Sequence, residues 1–330
     1  MNTLVQADGT IRFGFFDQPV DLINHLDYNL KTNLGRKVPN IIKRIIFNQF
    51  VFIGVMGPEY IVGLAVVNLK FLSNGFFYVY DRQRRTLVET SRLSPPGSGT
   101  FIDPRPDRVR AGYRQSGFSV NLEDGRVNAR TKRMELRGRL DLESARPIRI
   151  CTRAGYRGWV YKQSTTPVSF DGQLTVNGKS HDLKTPDYQA LVDWTAGYMR
   201  RHTYWNWTAS ASRLPDGRVL GLNLSCGVNE TSFTESYFLI DNQMTKVDSV
   251  YFEFSETNPN RPWRITSFDG KVELMFKAEE KRGENVNALM VKSKFNQFMG
   301  ALDGRLITDQ GETIHLSHCP AWAEDHYAKW

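Results

Sequence analysis

Cysteine is scarce in this chain. Cys151, Cys226 and Cys319 are the only three in 330 residues, with neither a disulfide framework nor a metal-ligand spacing, so reduced thiols in a cytoplasmic protein are expected. Long apolar runs are also missing: the longest, over residues 45–56, contains Asn48 and Gln49 and falls short of the roughly 20 residues a spanning helix needs. The first residues carry no basic-then-apolar leader, since Asp8 and Arg12 interrupt them. There is no P-loop, no GxGxxG after a strand, no GxSxG elbow and no HExxH, which sets aside the common nucleotide, hydrolase and zinc-peptidase chemistries. His315, His318 and Cys319 are close in sequence, but on a strand the two histidines face opposite ways. They read as ordinary hydrogen-bonding residues, and neither metal nor cofactor is expected.

Helical periodicity is nearly absent too. Residues 186–199 are the one good candidate, with Tyr188, Leu191, Val192 and Thr195 at helical spacing, and 37–47 begins like a short helix before turning β-rich. What is present is strand after strand. Residues 47–55, 60–68 and 75–80 read as a meander broken at Gly57-Pro58 and Ser73-Asn74-Gly75. Pro95, Pro96, Gly97, Gly99, Pro104 and Pro106 mark 94–106 as a long surface loop. Further short strands follow, with Asp124-Gly125, Asp171-Gly172 and Asn177-Gly178 as turns. Apolar positions change parity between Ala129 and Met134, which reads as a bulge near Lys132. With 40% hydrophobic residues the chain has material for two cores. The expectation is an all-β protein of two tandem antiparallel barrel or sandwich domains, 1–183 and 184–330, with 184–201 as a short connecting helix.

Charge is uneven. A belt that opens at Arg105 and closes at Arg139 holds ten Lys or Arg against four acids, most of the formal +8 of the chain. It reads either as a solvated basic face or as a contact for an anionic membrane surface, with the protein cytoplasmic and peripheral. No RNP, helix-turn-helix or zinc-finger pattern accompanies it, which argues against nucleic acid.

The densest chemistry lies in 193–227. Residues 203–212 and 218–227 lack acids and flank Leu214-Pro215-Asp216-Gly217, so a hairpin is expected. The usual register puts Trp205, Trp207 and Ala209 with Leu222, Leu224 and Cys226 on an apolar face. Tyr204, Asn206, Thr208 and Ser210 then join Asn223 and Ser225 on a polar, uncharged one. Such a face fits a pocket wall or a weakly polar exterior. Asp193, Arg200, Arg201, His202, Tyr204, Trp205, Trp207 and Asn223 form the candidate site, Asp193 as the catalytic residue and the others as ligand-binding. A buried carboxyl beside aromatic rings can donate a proton to an alkene and stabilise the cation formed. The plainer alternatives are an Asp193 paired with Arg200 or Arg201 and tryptophans that only fill a core.

GQLTVNGKSHDL at 172–183, DWTAG at 193–197, WNW at 205–207 and LPDGRVLGLNL at 214–224 resemble a series in the two-domain lipocalin-like superfamily, which includes carotenoid hydratases (hydroxyneurosporene synthases) and tocopherol cyclases. Those enzymes read Asp-His or Asp-Arg followed by Trp-Gly, so Asp193 and Gly197 align while Trp194 does not. The whole chain, with GFFDQPVDLIN at 14–24, is similar to a bacterial domain family of no established function. The resemblance implies lipocalin-like β-domains and a hydrophobic ligand, a lipid or isoprenoid, held in or between them. Simple carriage is one implied function. The alternative is a cofactor-free hydratase, cyclase or isomerase with Asp193 as proton donor.

Overall fold

The computed structural model describes residues 1–95, 99–227, 233–258, 261–288 and 291–329. Alternating strands and glycine-bearing turns build two antiparallel sheets. Among the described residues the first has 14 strands. Its central path runs Thr86–Ser94, Ser73–Asp81, Tyr60–Asn68, Asn48–Met56, Gln189–Tyr198, Gly158–Val176, Met134–Leu140, then by hairpins to Thr100–Ile102. The second has nine, centred on Val219–Cys226, His202–Arg213, Thr313–Lys329, Val291–Ile307 and Val272–Ala288.

Each sheet curls around its own core. Thr100–Ile102, at the far end of the first sheet, comes round to touch Tyr60–Asn68. Trp159, Trp194, Phe77 and Phe170 fill that first core, and Trp263, Phe276, Leu222 and Leu302 fill the second. The opposite faces of the central strands meet each other, so that Phe52, Phe76, Tyr78 and Leu191 pack against Trp207, Met299 and Trp322 in a third cluster. Gly54 exists for this contact, because a Cβ there would collide with the Trp322 ring. The expected all-β architecture of two curled antiparallel domains is the one observed.

The connecting helix is not. Gln189–Tyr198 is a strand buried along its whole length, paired with Asn48–Met56 on one side and Gly158–Val176 on the other. Burial on both faces erased the polar alternation, and the chance spacing of Tyr188, Leu191, Val192 and Thr195 imitated a helical stripe. The chain passes from one sheet to the other at 199–201, and the α-helix among the described residues is Asn40–Ile46, within the stretch read as a helix start.

The hairpin register also differs. The turn uses three residues, Pro215, Asp216 and Gly217, closed by Leu214 N–H to Arg218 O at 2.7 Å and Gly217 N–H to Leu214 O at 2.9 Å, with Gly217 at φ +92°. That odd length slides the pairing by one residue. Trp207 therefore lies opposite Ser225 and Ala209 opposite Asn223, while Thr208 and Ser210 face Leu224 and Leu222. The parity change after Ala129 is a chain reversal rather than a bulge, since Arg126–Arg130 pairs back on Met134–Leu140. The 94–106 loop holds a short strand, Thr100–Ile102, against Ala111–Gln115; its residues 96–98 lie outside the described residues.

Candidate active site between the two sheets

The third cluster does not close completely. At one end it opens into a cleft of about 190 Å³. One wall comes from the first sheet: Phe50 and Phe52, Val160 and Lys162, Asp193 and Thr195, each at period two along its strand and each facing away from the first core. The other wall comes from the second sheet, with Trp205, Trp207, Ser225, Phe295, Glu324 and His326.

Lys162 is the hinge of the first wall. Its ammonium lies 2.8 Å from Asp193 Oδ2 and donates to Glu235 Oε1 at 2.7 Å. Thr195 Oγ1 donates to the other Asp193 oxygen at 3.1 Å, and Ser225 Oγ to Glu235 Oε1 at 2.7 Å. Burial alone would neutralise Lys162, but Asp193 and Glu235 outweigh it and hold the ammonium above its ordinary range. Burial raises Asp193 in spite of Lys162, and the neighbouring Glu235 adds to the rise. Lys162 thus sits between two buried carboxyl groups in an apolar wall.

Across from it stands a third acid. Glu324 accepts from Trp205 Nε1 at 2.9 Å and from Gln297 Nε2 at 2.6 Å. These are good bonds, yet burial dominates and lifts its carboxyl to about 7. His326, two residues on and hence on the same face, stacks edge-on against Trp205 with ring centres 4.0 Å apart. Burial pushes it down to about 3, so the ring is neutral. Its Nε2 is 2.9 Å from Ser293 Oγ, and its Nδ1 is buried without a hydrogen-bond partner. An acid near neutrality, a neutral imidazole and an ammonium flanked by carboxylates can together give, take and stabilise charge on an otherwise apolar molecule.

The eight residues singled out in the sequence divide. Asp193, Arg200, Trp205 and Trp207 line the cleft. Asn223 stands behind it, accepting from Trp207 Nε1 at 2.9 Å and donating to the Glu235 carbonyl at 3.0 Å. Arg201, His202 and Tyr204 are exposed, outside the cleft, and His202 instead lies 2.8 Å from the Tyr327 hydroxyl. Asp193 takes Lys162 as its cation rather than Arg200 or Arg201; Arg200 Nη2 donates to the Gly227 carbonyl at 3.1 Å. Lys162, Glu235, Glu324 and His326 were missed. The available signal was Trp322, Glu324 and His326 at alternate positions of AWAEDHY, a polar pair interrupting an apolar strand face.

A family model for a domain of unknown function, DUF2804, matches residues 1–330. The chain belongs to that family. No curated protein matches it. Among solved structures it is similar to CghA, at 10% identity and TM-score 0.56 over 99% of this chain and 96% of that one. It is likewise similar to CghA with Sch210972, at 9% identity and TM-score 0.55 over the same shares. An AttH-type protein from Nitrosomonas europaea matches at 13% identity and TM-score 0.50, covering 86% of this chain and 92% of that one. At such identities the likeness is one of fold, the arrangement of two curled antiparallel sheets described above.

Proposed function

We propose that the cleft binds a hydrophobic small molecule, of lipid or isoprenoid character, and carries out a cofactor-free proton transfer on it, leading to hydration, isomerisation or cyclisation. The observation that carries this reading is Glu324, a buried carboxyl whose burial lifts it to about 7 on the wall of an apolar cleft, opposite the Asp193–Lys162–Glu235 cluster. Protonated Glu324 gives its proton to an alkene carbon, the π pair forming the new C–H bond. The cation that results is stabilised by Asp193, Glu235 and the faces of Trp205 and Trp207. Water then adds, or a neighbouring C–H bond is lost, and the released proton returns to the carboxylate. The proton donor in this reading is Glu324, and Asp193, tied to Lys162, supplies the opposing charge. The CghA structure with Sch210972 supports the reading to the extent that a protein of this fold holds a small molecule.

Carriage without chemistry is the second reading, favoured by the apolar lining of Phe50, Phe52, Val67, Phe76 and Phe295. A carrier, however, gains nothing from several ionisable groups buried at its ligand, each desolvated at a cost. The test is mass spectrometry of an organic extract of the protein from its native host, against a Trp205→Ala, Trp207→Ala control. The extracted compound is then incubated with ligand-stripped protein. A compound lost in the control and converted to an isomer, or to a product heavier by one water, supports catalysis. A compound returned unchanged means carriage, and a clean extract from the wild type removes both.

A further inference from the structure

We propose that the helix Asn40–Ile46, together with the turn that precedes it, docks on the surface of an anionic lipid bilayer. Ile41, Ile42, Ile45 and Ile46 all point outward, 62%, 43%, 43% and 42% exposed, and Leu34 at the tip of the preceding turn is 90% exposed. Single exposed aliphatics are common, but five within thirteen residues form a patch that needs a partner. The reason they stand outward is Lys43. It is the buried member of the helix, its ammonium donating to the carbonyls of Leu26 at 2.8 Å and Tyr28 at 2.6 Å, so the anchor is polar and the apolar side is left facing out.

Charge selects the partner. Lys31, Arg36, Lys37 and Arg44 are exposed around the patch, and no acid occurs anywhere in residues 28–58. None of the four is in an ion pair among the described residues, although Asp27 lies beside Lys43, and apolar side chains ringed by such cations are the surface an anionic headgroup layer accepts: the aliphatics enter the acyl boundary while the cations stay at the phosphates. The local field is visible at His25, which stacks on Phe47 with ring centres 3.8 Å apart. It is driven down to about 4, first by burial and then by Lys70, Lys43 and Arg44. The basic belt closed by Arg105 and Arg139 answers less well. Asp107, Glu123 and Glu135 there take Arg149, Arg110 and Arg137 in ion pairs, and no large apolar side chain of the belt is exposed. The helix also leads through Phe47 into Asn48–Met56, the strand whose Phe50 and Phe52 line the cleft, so docking places the cleft beside the lipid phase. The proposal stands apart from the chemistry of the cleft.

The test is co-sedimentation of the full chain with vesicles of mixed phosphatidylcholine and phosphatidylserine, with phosphatidylcholine alone as comparison, across a salt series. Binding to the mixed vesicles that weakens with salt is expected. Arg36→Gln with Lys37→Gln, and separately Ile41→Ser with Ile45→Ser, should each lower the partition coefficient on the order of tenfold. All four positions are exposed, so unchanged thermal melting is the check on folding. Absence of binding, or equal partition of wild type and both variants, overturns the proposal. A concentration-dependent dimer in light scattering that the isoleucine variant abolishes also overturns it, by assigning the face to a second copy of the chain.

Discussion

At the scale of single residues, the site rests on where a charge can be tolerated. Lys162 lies within 2.8 Å of two carboxyl groups and is buried in the cleft wall. Lys162→Met should therefore destabilise the protein by about 3–5 kcal/mol at neutral pH, because it removes the ammonium that pairs with the buried Asp193 carboxylate. Burial already raises Asp193 above its ordinary value and the variant loses the ammonium that opposes the rise, so stability should return as pH falls, which urea melts at a series of pH values would show. Glu324 gives the second prediction. Its folded value of about 7 lies above the ordinary 4.5, so the unfolded chain loses this proton first as pH rises, and stability declines across that window. Glu324→Gln should flatten the decline; an unchanged slope of melting temperature against pH would place the carboxyl in an ordinary environment. Asp193 was legible in the sequence as a lone acid beside a tryptophan. Its partners were not, because Lys162 and Glu235 approach it through the fold, 31 and 42 residues away.

At the scale of elements, the sequence showed strands well and their neighbours poorly. Tyr60–Asn68 appears at the expected bounds. The hairpin was legible as a hairpin, but a one-residue difference in turn length exchanged its faces, moving Asn223 and Ser225 to the tryptophan side. Gln189–Tyr198 was misread because a strand covered on both faces loses the alternation that identifies it. The contact between elements that matters most is Gly54 against Trp322, which sets the spacing of the two sheets beside the cleft. Gly54→Ala should cost about 1–3 kcal/mol through overpacking and Trp322→Ala about 3–5 kcal/mol through a cavity. The double variant should cost less than the sum, since the smaller residue at 322 leaves room for the added methyl. Strict additivity in a denaturant-melt cycle would show that the two do not touch.

At the scale of the whole molecule, two curled sheets share one apolar seam and leave a cleft at its end. The seam is reinforced at its rim, where Arg82 pairs with Glu279 at 2.8 Å and Asn74 donates to Glu284 at 3.3 Å, tying the long strand Val272–Ala288 to the first sheet. Two-domain architecture was legible because strand spacing and resemblance agreed on it. The position of the cleft was not, because no single strand carries it. Its polar groups come from several strands of both sheets, and from Glu235 just outside one. The chemistry assigned to that cleft is most directly tested in deuterated water. Wild-type protein incubated with its extracted ligand should introduce deuterium at carbon, and Glu324→Gln should retain the ligand while losing the incorporation. Deuterium entering equally with both proteins, or with neither, would contradict the account.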